Sequence, residues 1–150
     1  MRFKHIKDTT LELDLTGLPW IQEEFRESLS NVVAFILKAY ATEVSRIGLY
    51  GSWQRGNAQP GSDVDLVVFL NHEVPWFDAT RGVISRSSAR KDRYRWHVIE
   101  REANTYQDNL TVYSISTVTL AMLVYYAAHG PIHLQNWVHA LKHCYILWGR

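Results

Sequence analysis

Gly51-Ser52-Trp53-Gln54-Arg55-Gly56-Asn57-Ala58-Gln59-Pro60-Gly61-Ser62-Asp63-Val64-Asp65-Leu66-Val67-Val68-Phe69-Leu70 changes character halfway, from small and polar residues to an apolar run opened by two carboxylates. The second half reads as a strand over 63–70, because it alternates at first and then turns wholly apolar, as a strand does when its far end is buried on both faces. Asp63 and Asp65 are two apart, so in a strand they project from one face, separated by about 7 Å along the chain. Two hard oxygen ligands on one face suit Mg²⁺, which is commonly held by one or two carboxylates together with substrate phosphates and water. The first half supplies the complement. Gly51 has no side chain to keep phosphate oxygens from the backbone, and Ser52 follows where a helix N-terminus would offer free N–H groups and a hydroxyl. Arg55 and Gly56 in the polar turn are further candidates for contact with a triphosphate, although Arg55 reads equally well as an ordinary surface charge. A Gly-Ser dipeptide alone, or a Ser-Asp-x-Asp run alone, would be an ordinary turn. The two at fixed spacing, between strand, turn and strand, are specific.

Working outward, residues 44–50 are short and β-prone and end at Gly51-Ser52, which predicts strand, short helical turn and loop in sequence. Upstream, Thr16-Gly17-Leu18-Pro19 supplies turn and helix-start residues. Trp20, Phe25, Leu29, Val32, Val33, Ile36 and Tyr40 then recur at helical intervals, predicting a long amphipathic helix over 19–42. Downstream, 71–109 carries mixed signals and receives no assignment, although 94–99 alternates like a strand. Residues 110–115 read as a strand from their β-branched and aromatic content, with Ser116 or Thr117 capping a helix to about His129 that Gly130-Pro131 ends. A last helix over 132–147 would place Leu134, Trp137, Val138, Leu141 and Ile146 on one apolar side.

Bulk properties narrow the class. A chain of 150 residues, 47% hydrophobic, is expected to form a single domain over 1–150. Its longest apolar run, 120–128, is nine residues against the roughly 20 a bilayer requires, so no membrane partner is expected. The basic N-terminus lacks an apolar stretch behind it, which points to the cytoplasm. Cys144 is the only cysteine, which excludes an intrachain disulfide and a multi-thiolate zinc site; within an apolar helical stretch it reads as packing. His129 and His133 are four apart, but Gly130-Pro131 breaks the face between them, so no zinc is expected. Aromatic residues, Trp20 and Trp137 among them, read as core filling and cover for helix faces. Residues 81–101 hold seven Lys and Arg against Asp92 and Glu100, a net +5 within a chain of +1. Such a stretch is either a solvated face or a contact for nucleic acid or another acidic partner.

The segment from Gly51 to Leu66 resembles the signature of the DNA polymerase beta-like nucleotidyltransferase superfamily. Ten residues separate Gly51-Ser52 from Asp63-x-Asp65. That spacing, with the small chain, is similar to the minimal nucleotidyltransferase antitoxins that pair with HEPN-domain toxins. The resemblance implies an α/β (α+β) fold, a short mixed sheet backed by helices. It implies a transferase using ATP and Mg²⁺ that moves AMP to a tyrosine of a HEPN-type toxin partner, with Asp63 and Asp65 as metal ligands and Gly51 and Ser52 on the phosphates. Superfamily members usually add a third acid on a later strand. The best candidate strand, 110–115, contains none, and its matching position is Thr111; Asp108 and Glu100 are the nearest substitutes. Without that acid, catalysis would suffer more than nucleotide binding. Three readings follow: an adenylyltransferase acting on a protein hydroxyl, a catalytically weak or inactive binding module of the same fold, and a transferase acting on a small molecule or a nucleic-acid end.

Overall fold

The computed structural model of the chain describes residues 11–40, 42–59, 62–75, 77–84 and 113–149. Within them the order is α1 (Glu23–Tyr40), β1 (Val44–Tyr50), α2 (Ser52–Arg55), β2 (Val64–Leu70), β3 (Phe77–Asp78), β4 (Val83–Ile84), β5 (Tyr113–Val118), α3 (Leu120–His129), α4 (Ile132–Lys142) and β6 (Tyr145–Gly149). Four strands form one sheet in the order β5-β2-β1-β6, with β5 parallel to β2 and both β2 and β6 antiparallel to β1. This is the mixed sheet backed by helices that the resemblance implied.

β2 explains the layering. Val64, Leu66 and Val68 are fully buried and pack with Leu29, Val32, Val33 and Ile36 of α1. Val67 and Phe69 point the other way and pack with Leu123 of α3 and with Trp137 and Leu141 of α4. A strand covered on both faces has no room for polar residues in its middle, which is why the run from Leu66 to Phe69 is wholly apolar. Only Asp65, near the open end of that second face, escapes the rule.

Several expectations need correction. The first helix starts at Glu23 rather than 19, because Leu18 N–H bonds to the Leu15 carbonyl and Ile21 N–H to that of Leu18, making turns around Pro19 and Trp20. Trp20 is 43% exposed and covers α2 instead of filling the core. β5 runs on to Val118, so the helix cap is neither Ser116 nor Thr117 but Thr119, whose side chain accepts from Met122 N–H at 3.3 Å. The last helix stops at Lys142. Residues 145–149 are the edge strand β6 on β1, so Ile146 lies on that strand, 43% exposed, and is no part of a helix face. Cys144 sits between α4 and β6, packed against Gly48 with Val67 nearby, and burial raises its thiol pKa. Packing, as expected, is its role, but outside a helix. In the unassigned stretch, β3 and β4 form a small hairpin with Phe77 opposite Ile84.

Candidate functional site

The site lies where β1 ends and β2 begins. Tyr50 and Asp65 are direct partners across the antiparallel pair, so the turn leaving β1 is held beside the first carboxylate of β2. Gly51 makes that turn with φ 78° and ψ −156°, a backbone state open to glycine and costly for other residues. A Cβ at Gly51 would overlap the Asp65 Oδ2, so its absence makes the space the carboxylate occupies. Two constraints therefore meet on one glycine.

Ser52 begins α2, whose N-terminus has no side-chain cap, and Gly56 closes it in the left-handed conformation at φ 79°. Arg55, in the last turn of α2, is near enough to pull the Asp65 pKa down, but burial and the charge of Asp63 outweigh it and hold that carboxyl above its ordinary value. No hydrogen bond contributes to the balance. Asp65 is half buried and Asp63 exposed, so the pair presents two repelling oxygen donor groups, one of them short of solvent. Such groups gain by meeting a cation.

Parallel pairing sets Ser114 of β5 beside Asp65 and Ser116 beside Val67, so both hydroxyls share the Asp65 face of the sheet. The face that would carry a third acid therefore holds serine in this part of the strand. Thr111, Asp108 and Glu100 lie outside the described residues, as does the basic stretch beyond Ile84. Of that stretch, Arg81 is described and pairs with Asp78 at 2.8 Å. Among the described residues, no cluster of three or more His, Cys, Asp or Glu is arranged to hold a metal.

The structure thus brings together Gly51, Ser52, Arg55, Asp63 and Asp65. It adds Tyr50, whose hydroxyl lies 3.2 Å from Trp137 Nε1, and Ser114. Neither Tyr50 nor Ser114 stands out in the sequence, because only strand register puts them on this face. The donor set fits a hard divalent cation: two carboxylates, one in a cradle that a Cβ at Gly51 would fill, with no hydrogen-bond donors competing for Asp65.

A family model described as nucleotidyltransferase domain matches residues 26–116, more than half of the chain. The protein belongs to the nucleotidyltransferase domain family, within the DNA polymerase beta-like superfamily that its motif resembles. The match spans most of α1 through most of β5 and includes Gly51, Ser52, Arg55, Asp63 and Asp65, and it supports a role in nucleotidyl transfer. No curated protein and no solved structure matches the chain. Among the described residues, no helix is long and apolar enough to cross a membrane.

Proposed function

We propose that the chain transfers AMP from ATP to a protein hydroxyl in a Mg²⁺-dependent reaction, as the antitoxin of a pair with a HEPN-type toxin. The observation that carries the transferase reading is the Asp65 carboxylate. It is half buried against Gly51, beside the charge of Asp63 and without a hydrogen bond, within a family that moves nucleotidyl groups.

Asp63 and Asp65 would hold the metal. Bound there, Mg²⁺ supplies polarisation of the α-phosphoryl group and a lowered pKa for the attacking hydroxyl. Gly51 leaves the backbone open to the phosphates, Ser52 adds its N–H and hydroxyl, and Arg55 stands by with a positive charge. The acceptor oxygen bonds to the α-phosphorus, the bridge to the β-phosphorus breaks, and pyrophosphate departs. The hydroxyl proton needs a base, and Asp108 and Glu100 are the candidates. Asp108→Asn or Glu100→Gln, whichever is that base, should lower transfer while leaving nucleotide affinity unchanged.

The direct test is incubation of the chain and its co-purifying partner with ATP labelled at the α-phosphate. Covalent label on the partner, lost with Asp63→Asn, is the expected result. No label on any acceptor with Mg²⁺ or Mn²⁺ would sink the proposal.

A second reading draws on Ser114 and Ser116, which fill the Asp65 face of β5 with hydroxyls. Without a third acid the domain would bind nucleotide and neutralise its partner by contact. In that case the double variant Asp63→Asn, Asp65→Asn still inhibits the partner, whereas a folded double variant that binds the partner without inhibiting it favours catalysis.

A further inference from the structure

Trp53 follows Ser52 in α2, between the two halves of the motif, and is tied on three sides. Its indole Nε1 donates to the Ser62 carbonyl at 3.1 Å, at the residue immediately before Asp63. Its own carbonyl accepts from Trp20 Nε1 at 2.7 Å. Its ring lies on Phe25 of α1, with centroids 4.1 Å apart and planes 12° from parallel. Phe25 in turn stacks in parallel with Tyr113 at 6.5 Å, and the Tyr113 hydroxyl is hydrogen-bonded to Ser28 of α1 at 2.5 Å.

These contacts have a geometric consequence. Gly51 is fixed to the sheet by Tyr50, and Asp65 by the same pairing. Asp63 precedes β2, so its position depends on the loop that leads into the strand. That loop is closed on itself by Gln59 N–H to Ser62 Oγ and Ser62 N–H to the Gln59 carbonyl, both 2.9 Å. The Trp53 indole links α2 to the end of that loop through its side chain, and the Phe25 stack fixes the indole against α1. Orienting one ligand of a pair that repels itself requires such an external hold, because the two carboxylates left alone would separate.

We infer that Trp53 is a positioning residue: its indole N–H sets the Ser62 carbonyl, and through it the Asp63 carboxylate, at the distance from Asp65 that a single divalent cation needs. The inference deepens the reading of Asp63 and Asp65 as a metal site and rests on it.

The test uses the full chain with Mn²⁺ alone as probe, counting bound ion by electron paramagnetic resonance. Wild-type protein should bind Mn²⁺ saturably, and Asp63→Asn should abolish it. Trp53→Phe keeps a ring for Phe25 but removes the donor. Its Mn²⁺ affinity should fall roughly three- to tenfold, on the scale of one net hydrogen bond, with the melting temperature lowered by no more than a few degrees. Tyr145→Phe deletes a hydrogen bond of 2.6 Å to the Asp14 carbonyl, away from the site, and should leave Mn²⁺ affinity at the wild-type value. Equal affinity in Trp53→Phe and wild type overturns the role of Trp53 while leaving the metal site standing. No saturable binding by wild type overturns both. Should Trp53→Phe fail to fold, Trp20→Phe, which removes the donor to the Trp53 carbonyl, carries the test: weakened Mn²⁺ binding supports the inference and unchanged binding overturns it.

Discussion

The two ends of β2 carry acids of opposite character. Beyond Leu70 the carboxylates are engaged: Glu43 Oε1 lies 3.0 Å from His72 Nε2, and Glu73 accepts the Ala121 N–H of α3 at 3.1 Å. Asn71 ties the same end down through Thr42 and Glu43 carbonyls, at 2.7 and 2.9 Å. Before Leu66, Asp65 is half buried without a hydrogen bond, and its nearest charges are another acid and one arginine that fails to balance it. A protein leaves a carboxylate in that condition at a cost to its own stability. The end where Glu43 and Glu73 have partners holds the fold together, and the end where the acids repel carries negative charge that a cation can balance.

The comparison breaks most visibly in transfer rate. Asp65→Asn should lower nucleotidyl transfer by about 10²–10³-fold, since a held metal contributes several kcal/mol at the transition state. Glu73→Ala at the other end should leave the rate within about twofold, as expected for a group that makes no contact with substrate. Steady-state rates with saturating ATP and Mg²⁺ decide it, and a comparable loss in both variants would show that the ends are not functionally distinct.

Glycines sharpen the same contrast. Gly51→Ala meets a positive φ and the Asp65 carboxylate together, so it should lose about 1–3 kcal/mol of stability and also weaken metal-dependent ATP binding. Gly82→Ala, at φ 66° and pressed on the Tyr125 ring, should cost stability alone. Denaturant melts paired with ATP titrations separate the two effects. Undiminished ATP affinity in Gly51→Ala would remove the glycine from the site.

What could be read from the chain follows how local each signal is. β1 and β2 were legible because alternation, an apolar run and the Gly-Ser and Asp-x-Asp marks all lie within one stretch. The unpaired acids were legible by type and spacing, but their lack of partners was not, since it depends on what register places around them. Tyr145-Ile146-Leu147-Trp148 is a short apolar run that fits helix and strand equally, and only the free edge of β1 decides for strand. The hairpin strands β3 and β4 have two residues each, too few for any period. Trp53 could not be found at all from local pattern, because its hydrogen-bond partners are 9 and 33 residues away.

A smaller effect belongs to the engaged end. Glu73 and Thr119 both accept N–H groups from the first turn of α3, so each satisfies a donor the helix cannot. Glu73→Ala should therefore lose about 1 kcal/mol in denaturant unfolding, and the loss should be the same with and without ATP and Mg²⁺. A loss that ligand repairs would mean that this end of β2 senses the site after all.

The smallest effect has the opposite sign. The carboxyl of Asp65 titrates above its ordinary value when folded, because burial and then Asp63 disfavour its charge. The folded chain accordingly holds the proton more tightly than the unfolded one, and stability from this group is present in acid and lost as pH rises through the folded pKa. Above that pKa the ionised carboxylate is a net cost. Asp65→Asn removes the charge while keeping the shape, so it should raise the melting temperature slightly at pH values above the folded pKa, by an increment that shrinks as pH falls through that pKa, where Asp65 itself takes up the proton. Saturating Mg²⁺ should narrow the difference from the other side, by stabilising only the chain that keeps its charge. A gain independent of both pH and Mg²⁺ would trace to packing, and Asp65 would then no longer stand apart from the engaged acids at the far end of its strand.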